Sequence, residues 1–276
     1  MYSIFHFFKS LVEKKAKFQS TTKLENFPFD SKLLSCRNKG IFPDMALRLN
    51  KEREIFTGGE LIELKDSVSY TISSFNSTIP AGRKAINKII SGENSRIKYQ
   101  MMQAGNNIYS LPIRDVYYLV RGKKQGKAKI CLVFGSFFET IKTDDLISQS
   151  FSQVLEERLK EEGAEITESV RNILKSVFSQ QQNFSRVRNV EKASVKLRFR
   201  IMTEIKAEGN ILNSIKYPEI ADNTLNFLLP CDSKEAEETI LKKAELSFGK
   251  KLLDSLATFK VKHYFNGHFI VFQTGL

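Results

Sequence analysis

Residues 42–65 read FPDMALRLNKEREIFTGGELIELK and contain two segments with the pattern of neighbouring β-strands. In the first segment, Met45, Leu47 and Leu49 alternate with polar or small residues, which is the period of a half-buried strand. Residues 61–65 form a second extended segment, and the Gly-Gly pair in front of it indicates a turn. We therefore predict that the two segments are antiparallel neighbours in one sheet.

The second segment carries charged residues on one side only. Because side chains alternate along a strand, Glu63 and Lys65 share a face while Ile62 and Leu64 point into the core. Asp44 begins the neighbouring strand, and neither carboxylate is expected in the core. Two carboxylates and the Leu64 carbonyl can hold Mg²⁺, which prefers oxygen ligands, and a lysine can stabilise the charge of a transition state. The candidate catalytic residues are Asp44, Glu63 and Lys65, with Asp44, Glu63 and Leu64 as metal ligands.

This arrangement resembles the PD-(D/E)xK nuclease superfamily, whose motif places Pro-Asp on one strand and Asp/Glu-x-Lys on the next. The motif residues here are Pro43, Asp44, Glu63 and Lys65. The segment SSFNSTIP at residues 73–80 is also similar to the loop after this strand in some type II restriction endonucleases. The resemblance covers residues 40–80 and implies Mg²⁺-dependent hydrolysis of double-stranded DNA by a type II restriction endonuclease, leaving 5′-phosphate and 3′-hydroxyl ends.

The resemblance also implies a fold and a further acid. The expected fold class is α/β, with a mixed central sheet flanked by helices (a restriction-endonuclease-like core) and a C-terminal α+β portion. Many enzymes of the superfamily recruit another acid from an earlier helix or loop, and Glu13 and Glu25 are the candidates. The alternative for each is a solvated surface acid. A homodimer is one of the assemblies that the resemblance allows.

The net charge of +12 is concentrated in the N-terminal half. Residues 1–145 contain 24 Lys and Arg against 14 Asp and Glu, whereas residues 146–276 contain 19 against 17. A polyanion such as DNA gains affinity on a basic surface through counterion release. The segregation favours double-stranded DNA as the partner, and the alternative is a basic protein that its charge keeps in solution.

Three groups of polar residues are candidates for DNA contacts. Asparagine and hydroxyl side chains after the catalytic strand can donate to a phosphate or cap a helix, and basic residues of two segments can contact phosphates. The nucleic-acid-binding candidates are Asn76, Ser77, Thr78, Arg83, Lys84, Lys88, Lys123, Lys124 and Lys127. A polar stretch suited to reading base edges contains Gln100, Gln103, Asn106 and Asn107.

The remaining chain alternates between strand and helix patterns. We predict a strand at 68–73, a helix from Pro80 to about residue 90, and strands at 115–121 and 130–134 joined by the basic loop GKKQGKAK. Helical spacing follows at 145–162 and 168–180, and strand alternation at 193–204. Asn266 and Gly267 lie between two apolar segments and predict a hairpin with a type I′ turn.

We place an approximate boundary between two portions of the chain near residue 145. Residues 1–145 are expected to form the nuclease core with an N-terminal helix. Residues 146–276 are expected to form a helical and β-hairpin portion that builds a dimer or helps to grip DNA.

The first twenty residues begin with an aromatic-rich segment that His6 and Lys9 interrupt. The positive charges follow this segment and no small-residue cleavage site is present, so we do not expect a secretion signal. The apolar residues fit one broad face of an amphipathic helix. We predict a helix docked on the protein rather than in a membrane, with membrane association as the alternative.

Three cysteines, Cys36, Cys131 and Cys231, lie far apart and form no Cys-x-x-Cys pair. We therefore expect free, buried thiols. Together with the family resemblance, they favour a reducing prokaryotic cytoplasm as the location.

Two other functions use the same features. The superfamily core also serves structure-selective repair or junction-cutting nucleases, and a noncatalytic DNA-binding module can use the basic half without cleavage. Glu63 and Lys65 can also form an exposed same-face ion pair without any catalytic role, and such pairs contribute little to stability.

Overall fold

One mixed β-sheet forms the centre of the larger of two units in the chain. In the computed structural model of the protein, the larger unit comprises residues 1–74, 80–138 and 204–276, and the second unit comprises residues 75–79 and 139–203. The structure describes residues 2–37, 42–48, 59–72, 74–76, 80–85, 96–103, 112–139, 143–163, 165–179, 186–190, 193–196, 202–204 and 207–276.

The helices and strands within these residues have the following bounds. The helices are α1 (Tyr2–Glu13), α2 (Lys15–Gln19), α3 (Arg96–Gln103), α4 (Thr143–Glu162), α5 (Glu168–Ser179), α6 (Lys234–Phe248) and α7 (Lys250–Asp254). The strands are β1 (Leu34–Arg37), β2 (Met45–Leu47), β3 (Leu61–Ser67), β4 (Ser74–Asn76), β5 (Arg83–Ala85), β6 (Ile113–Lys124), β7 (Lys127–Phe134), β8 (Arg186–Val190), β9 (Ala193–Lys196), β10 (Met202–Glu204), β11 (Thr224–Pro230), β12 (Ala257–His263) and β13 (Gly267–Gly275).

The central sheet has the strand order β1-β2-β3-β6-β7-β11-β13-β12, with β5 paired to β6. The β3–β6 and β7–β11 pairs are parallel, and the other pairs are antiparallel. Most residues of β6, β7 and β11 are buried without alternation, which is typical of strands covered on both faces. The predicted α/β class, with a mixed sheet flanked by helices, is confirmed.

The N-terminal helix packs on one face of this sheet through aromatic side chains. Phe5 and Phe8 of α1 contact Phe227 of β11, with ring centroids 5.3 and 5.0 Å apart. Phe248 at the end of α6 contacts both α1 rings. Each fully buried Phe contributes about 1.5–3 kcal/mol, so the apolar face of α1 holds it to the sheet. The docked helix is confirmed.

None of the helices in the described ranges combines the length and the hydrophobicity that crossing a bilayer requires. The three cysteines are free and buried, as the sequence predicts.

Two predictions for the segment after β3 are wrong. The strand expected at 68–73 is a bend at residues 68–70, where Val68 is 95% exposed. The helix expected from Pro80 is replaced by β5, because Arg83–Ala85 pairs with residues 113–115 of β6. Hydrogen bonding to a strand distant in sequence overrides the local helix signal. Residues 86–90 lie outside the described residues.

The two hairpin turns differ from the predicted ones. β6 and β7 extend through the predicted basic loop, so that only Gln125 and Gly126 connect them, with φ of 51° and 77°. Positive φ at both positions is characteristic of a type I′ turn. The C-terminal hairpin β12–β13 is confirmed, but His263 pairs with Gly267, and three residues therefore connect the strands. The type I′ turn predicted at Asn266-Gly267 is wrong.

The division near residue 145 also differs from the units in the structure. β11 pairs in parallel with β7, and β13 continues the sheet beyond β11. These hydrogen bonds join the C-terminal strands to the N-terminal ones. Residues 204–276 of the predicted C-terminal portion therefore belong to the larger unit, whereas residues 146–203 belong to the second unit.

The second unit contains α4 and α5, which confirm both predicted helices, and an ion pair of 2.9 Å joins Arg171 to Glu156. Two small sheets, β8–β9 and β4–β10, complete its described elements. The strand predicted at 193–204 is confirmed at its two ends, β9 and β10, which pair in different sheets. Residues 197–201 between them are outside the described residues.

Candidate active site

Asp44 and Glu63 lie opposite each other where β2 meets β3. The antiparallel strands pair Met45 with Ile62, and the register continued by one residue sets Asp44 against Glu63. Asp44 Oδ2 accepts a hydrogen bond of 2.8 Å from the backbone N–H of Leu64. Just before the start of β2, the Asp44 carboxylate therefore takes the place of a backbone carbonyl as the acceptor for β3. The predicted antiparallel pairing of the two motif strands is confirmed.

The Glu63 carboxylate is buried, with only 8% of the residue exposed, which differs from the expected position outside the core. Its Oε1 accepts a hydrogen bond of 2.8 Å from Lys65 Nζ, so the two side chains share a face as predicted. Its Oε2 is buried and receives no hydrogen bond from the described residues. Burial raises the pKa of Glu63, Lys65 lowers it, and the Asp44 carboxylate raises it.

This cluster differs from an exposed surface ion pair. The Lys65 and Glu63 side chains are only 23% and 11% exposed. Burying charges costs desolvation free energy, and Asp44 adds a second negative charge beside Glu63. Since folding alone does not favour such a cluster, its arrangement is typical of a functional site.

The oxygen atoms of this cluster suit a small, hard cation. Asp44 and Glu63 supply carboxylates, and the buried Glu63 Oε2 is an acceptor in need of a positive partner. The N–H and C=O of one strand residue point to the same side, so the Leu64 carbonyl points toward Asp44. Within the described residues no group of three or more His, Cys, Asp or Glu side chains is placed to hold a metal. Two carboxylates and one carbonyl are oxygen ligands of the kind that Mg²⁺ takes, together with retained waters.

Lys84 is a second lysine on the same face. Lys84 pairs with Arg114 of β6, and Glu63 pairs with Tyr118 of the same strand. Because these two β6 residues are four positions apart, Lys84 and Glu63 share a face of the sheet. Lys84 Nζ lies 4.6 Å from the ring centroid of Phe42. Burial lowers the pKa of Lys84 to about 8, and the charge of Glu63 acts in the opposite direction.

An open cleft of about 690 Å³ borders Asp44. Its lining includes Leu64 and Asp66, which alternate with Glu63 and Lys65 and therefore point to the other face of β3. The cleft thus lies next to the carboxylate pair rather than around it.

The two candidates for an additional acid occupy different places. Glu25 lines the cleft that Asp44 borders. Glu13 is exposed at the end of α1 and is not among the described residues of the lining. The structure therefore brings only Glu25 near Asp44.

Two of the predicted phosphate-binding lysines have structural partners. Lys123 Nζ donates to the backbone carbonyls of Thr21 and Thr22 at 3.1 and 3.0 Å. Lys127 pairs with Asp222 at 3.0 Å. Lys123 therefore holds the loop after α2, because its ammonium donates to two carbonyl oxygens of that loop.

The other predicted basic contacts are more accessible or lie outside the description. Arg83 pairs with Asp115 at 3.0 Å, yet its side chain is 71% exposed. Lys124 is exposed beside the β6–β7 turn. Lys88 lies outside the described residues.

The predicted polar contacts are mostly not described by the structure. Asn76 lies in β4, and nothing is described of its side chain or of Ser77 and Thr78. In α3, Gln100 accepts a hydrogen bond of 3.0 Å from Cys36 Sγ, and Gln103 donates one of 2.6 Å to the Tyr99 hydroxyl. Asn106 and Asn107 are outside the described residues.

A different acid–cation pair lies on the opposite face of β3. Arg121 donates through Nε and Nη2 to the two carboxylate oxygens of Asp66, at 2.9 and 2.8 Å. It also donates to the carbonyls of Thr21 and Thr22 and lies 4.7 Å from the ring centroid of Phe27. Asp66 thus neutralises Arg121, and Nη1 and Nη2 of Arg121 hold the loop after α2.

Comparison of the chain with protein-family models, with curated proteins and with solved structures finds no match in any of the three. The resemblance to PD-(D/E)xK nucleases therefore rests on the motif residues and on their arrangement.

The sequence pattern missed the position of Lys84 beside Glu63. It identified Lys84 as a basic residue that contacts phosphates from a helix. Residues 83–85 form a strand, and only a strand places Lys84 on the face of Glu63. Pro80 predicted a helix there instead, so the sequence could not show this position.

Proposed function

We propose that the protein is a Mg²⁺-dependent endonuclease of the PD-(D/E)xK type that hydrolyses double-stranded DNA. The more specific proposal is a type II restriction endonuclease with a restriction-endonuclease-like core, acting in a prokaryotic cytoplasm. The observation that carries the proposal is the Asp44–Glu63 carboxylate pair on adjacent strands, with Lys65 Nζ 2.8 Å from Glu63.

Each side chain has a distinct part in this reaction. Asp44, Glu63 and the Leu64 carbonyl hold the metal. Mg²⁺, when bound, polarises the phosphate and lowers the pKa of a water. Lys65 lies beside this position and stabilises negative charge on the phosphate. The water oxygen bonds to phosphorus and gives up a proton to solvent, the bond from phosphorus to the 3′ oxygen breaks, and the leaving oxygen takes up a proton from solvent water.

Two alternative functions would use the same site residues or the same basic N-terminal half. A structure-selective repair or junction nuclease would use the same three residues on DNA of unusual shape. A noncatalytic DNA-binding protein would use only the basic N-terminal half. The largely buried Glu63–Lys65 pair favours the catalytic candidates, since DNA binding alone needs no carboxylate pair.

Digestion of long plasmid DNA in Mg²⁺ separates these functions. A restriction endonuclease gives discrete bands, a structure-selective nuclease gives nicking that depends on DNA shape, and a binding protein shifts the DNA without cutting it. Glu63→Gln protein purified in parallel excludes a contaminating nuclease. Intact DNA in both Mg²⁺ and Mn²⁺ would contradict the proposed activity.

A further inference from the structure

Among the described residues, two lysine side chains lie on the sheet face that carries the carboxylate pair. Lys65 reaches Glu63 from the next position but one on β3. Lys84 reaches the same face from β5, which is hydrogen-bonded to β6 rather than to the motif strands. The motif therefore identifies only one of the lysines of this site.

Phe42 fixes the position of the second lysine. Its ring lies 4.6 Å from Lys84 Nζ, a distance at which an ammonium is attracted to the face of an aromatic ring. Phe42 is two residues before Asp44. The segment that supplies the Asp44 carboxylate therefore also contacts Lys84. This contact uses no hydrogen-bond donor of the ammonium, because a ring face accepts no conventional hydrogen bond.

The charges of the four side chains indicate what Lys84 is for. Asp44 and Glu63 are together balanced by Lys65 and Lys84. A Mg²⁺ ion then gives the site two positive charges, which matches the two negative charges of a phosphodiester under attack by hydroxide. Without Lys84 the site falls one charge short of that match.

We propose that Lys84 is a further catalytic residue, whose ammonium donates directly to the phosphate on which Asp44, Glu63 and Lys65 act. The inference rests on the proposed nuclease function. Lys84 is thus a phosphate ligand at the centre of the site rather than one of several cations spread along the DNA backbone.

The decisive variant is Lys84→Gln, compared with Lys84→Arg and with Lys260→Gln. Lys260 is the control because it is also a strand lysine, but it lies on the edge strand β12 and pairs there with Glu237. The substrate is a duplex that contains a cut position mapped with the wild-type enzyme. Single-turnover cleavage is measured at saturating Mg²⁺, and DNA affinity is measured without metal across a range of salt concentrations.

Lys84→Gln is expected to slow single-turnover cleavage about 10²-fold, the effect of losing one donor to a transition-state oxygen. In the absence of metal, its plot of log affinity against log salt should be flatter by about 0.9, the value for one lost phosphate contact. Lys84→Arg should restore the slope, and Lys260→Gln should change neither quantity. Thermal melts of each variant test for a folding defect. If Lys84→Gln is destabilised, Lys84→Met, which keeps the apolar stem on Phe42, replaces it.

Two results would overturn the inference. One is wild-type cleavage by Lys84→Gln. The other is slow cleavage that extra Mg²⁺ restores, with an unchanged salt slope, because Lys84 would then act through Glu63 and not on the phosphate. If the wild-type protein cuts no DNA, the proposed function itself fails, which is a separate outcome.

Discussion

Strand β3 carries two acid–cation pairs that differ in how completely their polar atoms are satisfied. On one face, Asp66 uses both oxygens to bind Arg121, and the remaining Arg121 donors bind backbone carbonyls. On the other face, Glu63 uses one oxygen for Lys65, while its second oxygen is buried without a donor from the described residues. A second carboxylate, that of Asp44, lies close enough to raise the pKa of Glu63. A fully satisfied pair holds structure, whereas an unsatisfied cluster of like charges is suited to bind something else.

The largest expected effect comes from removing either carboxylate of the unsatisfied cluster. Asp44→Asn or Glu63→Gln should abolish cleavage, because each removes a metal ligand. Metal-free DNA binding should persist or tighten, since less negative charge faces the phosphates. Plasmid digestion and a gel-shift titration check these outcomes. A variant that cuts at the wild-type rate would exclude its residue from the mechanism.

Lys65→Ala should have the next largest effect. Losing one preorganised charge-stabilising donor slows the reaction by roughly 10²- to 10³-fold. Stability should also fall, because the buried Glu63 carboxylate loses the hydrogen bond that Lys65 donates to it. Single-turnover cleavage at saturating Mg²⁺ and a thermal melt of the same protein test both statements. An active Lys65→Ala protein with a lower melting temperature would show that the lysine serves folding instead.

Removing the acid of the satisfied Asp66–Arg121 pair should lower stability and leave cleavage unchanged. Asp66→Asn leaves the buried Arg121 guanidinium without its counter-charge and should destabilise the fold by about 3 kcal/mol. Cleavage by the folded fraction should remain at the wild-type rate. Chemical denaturation measures the loss, with Glu161→Gln as control because its pair with Arg158 is exposed on both sides and should contribute about 0–1 kcal/mol. Loss of cleavage in folded Asp66→Asn protein would contradict the distinction between the two faces.

The pH dependence of stability provides a finer test of the Glu63 side. Burial raises its pKa in the folded state above the ordinary value of 4.5. Between the two values the folded state binds more protons than the unfolded state, so this group stabilises the fold as pH falls and the contribution is lost as pH rises. The melting temperature of Glu63→Gln should therefore exceed that of the wild type most at neutral pH. A difference that stays constant down to pH 4.5 would argue against the raised pKa.

The smallest expected effects concern the hairpin lysines. Lys124→Gln should flatten the plot of log DNA affinity against log salt by about 0.9 if this exposed lysine contacts a phosphate. Lys123→Gln should leave that slope unchanged and lower stability instead, because its ammonium binds the Thr21 and Thr22 carbonyls. Salt titrations of both variants make the comparison, and a flatter slope for Lys123→Gln would place the loop after α2 on the DNA.

The sequence alone determined the features that depend on local periodicity. The alternation around Asp44 and Glu63 predicted β2 and β3 as antiparallel neighbours and placed Lys65 on the Glu63 face, because a strand repeats its side-chain direction every two residues. The apolar face of α1 and the C-terminal hairpin followed from similar patterns. In each case the information lies within a few residues of the feature.

The tertiary structure decided the features that depend on pairing across long separations. Lys84 faces Glu63 only because β5 pairs with β6, and Lys123 is held by a loop about a hundred residues earlier in the chain. β11 lies beside β7 in the same sheet, although a helical segment separates them in the sequence. No local pattern specifies which strands pair, since the backbone hydrogen bonds of all strands are chemically alike. The choice of strand partners depends instead on burial of the whole core. The motif therefore predicted the carboxylates and one lysine, and the sheet added the second.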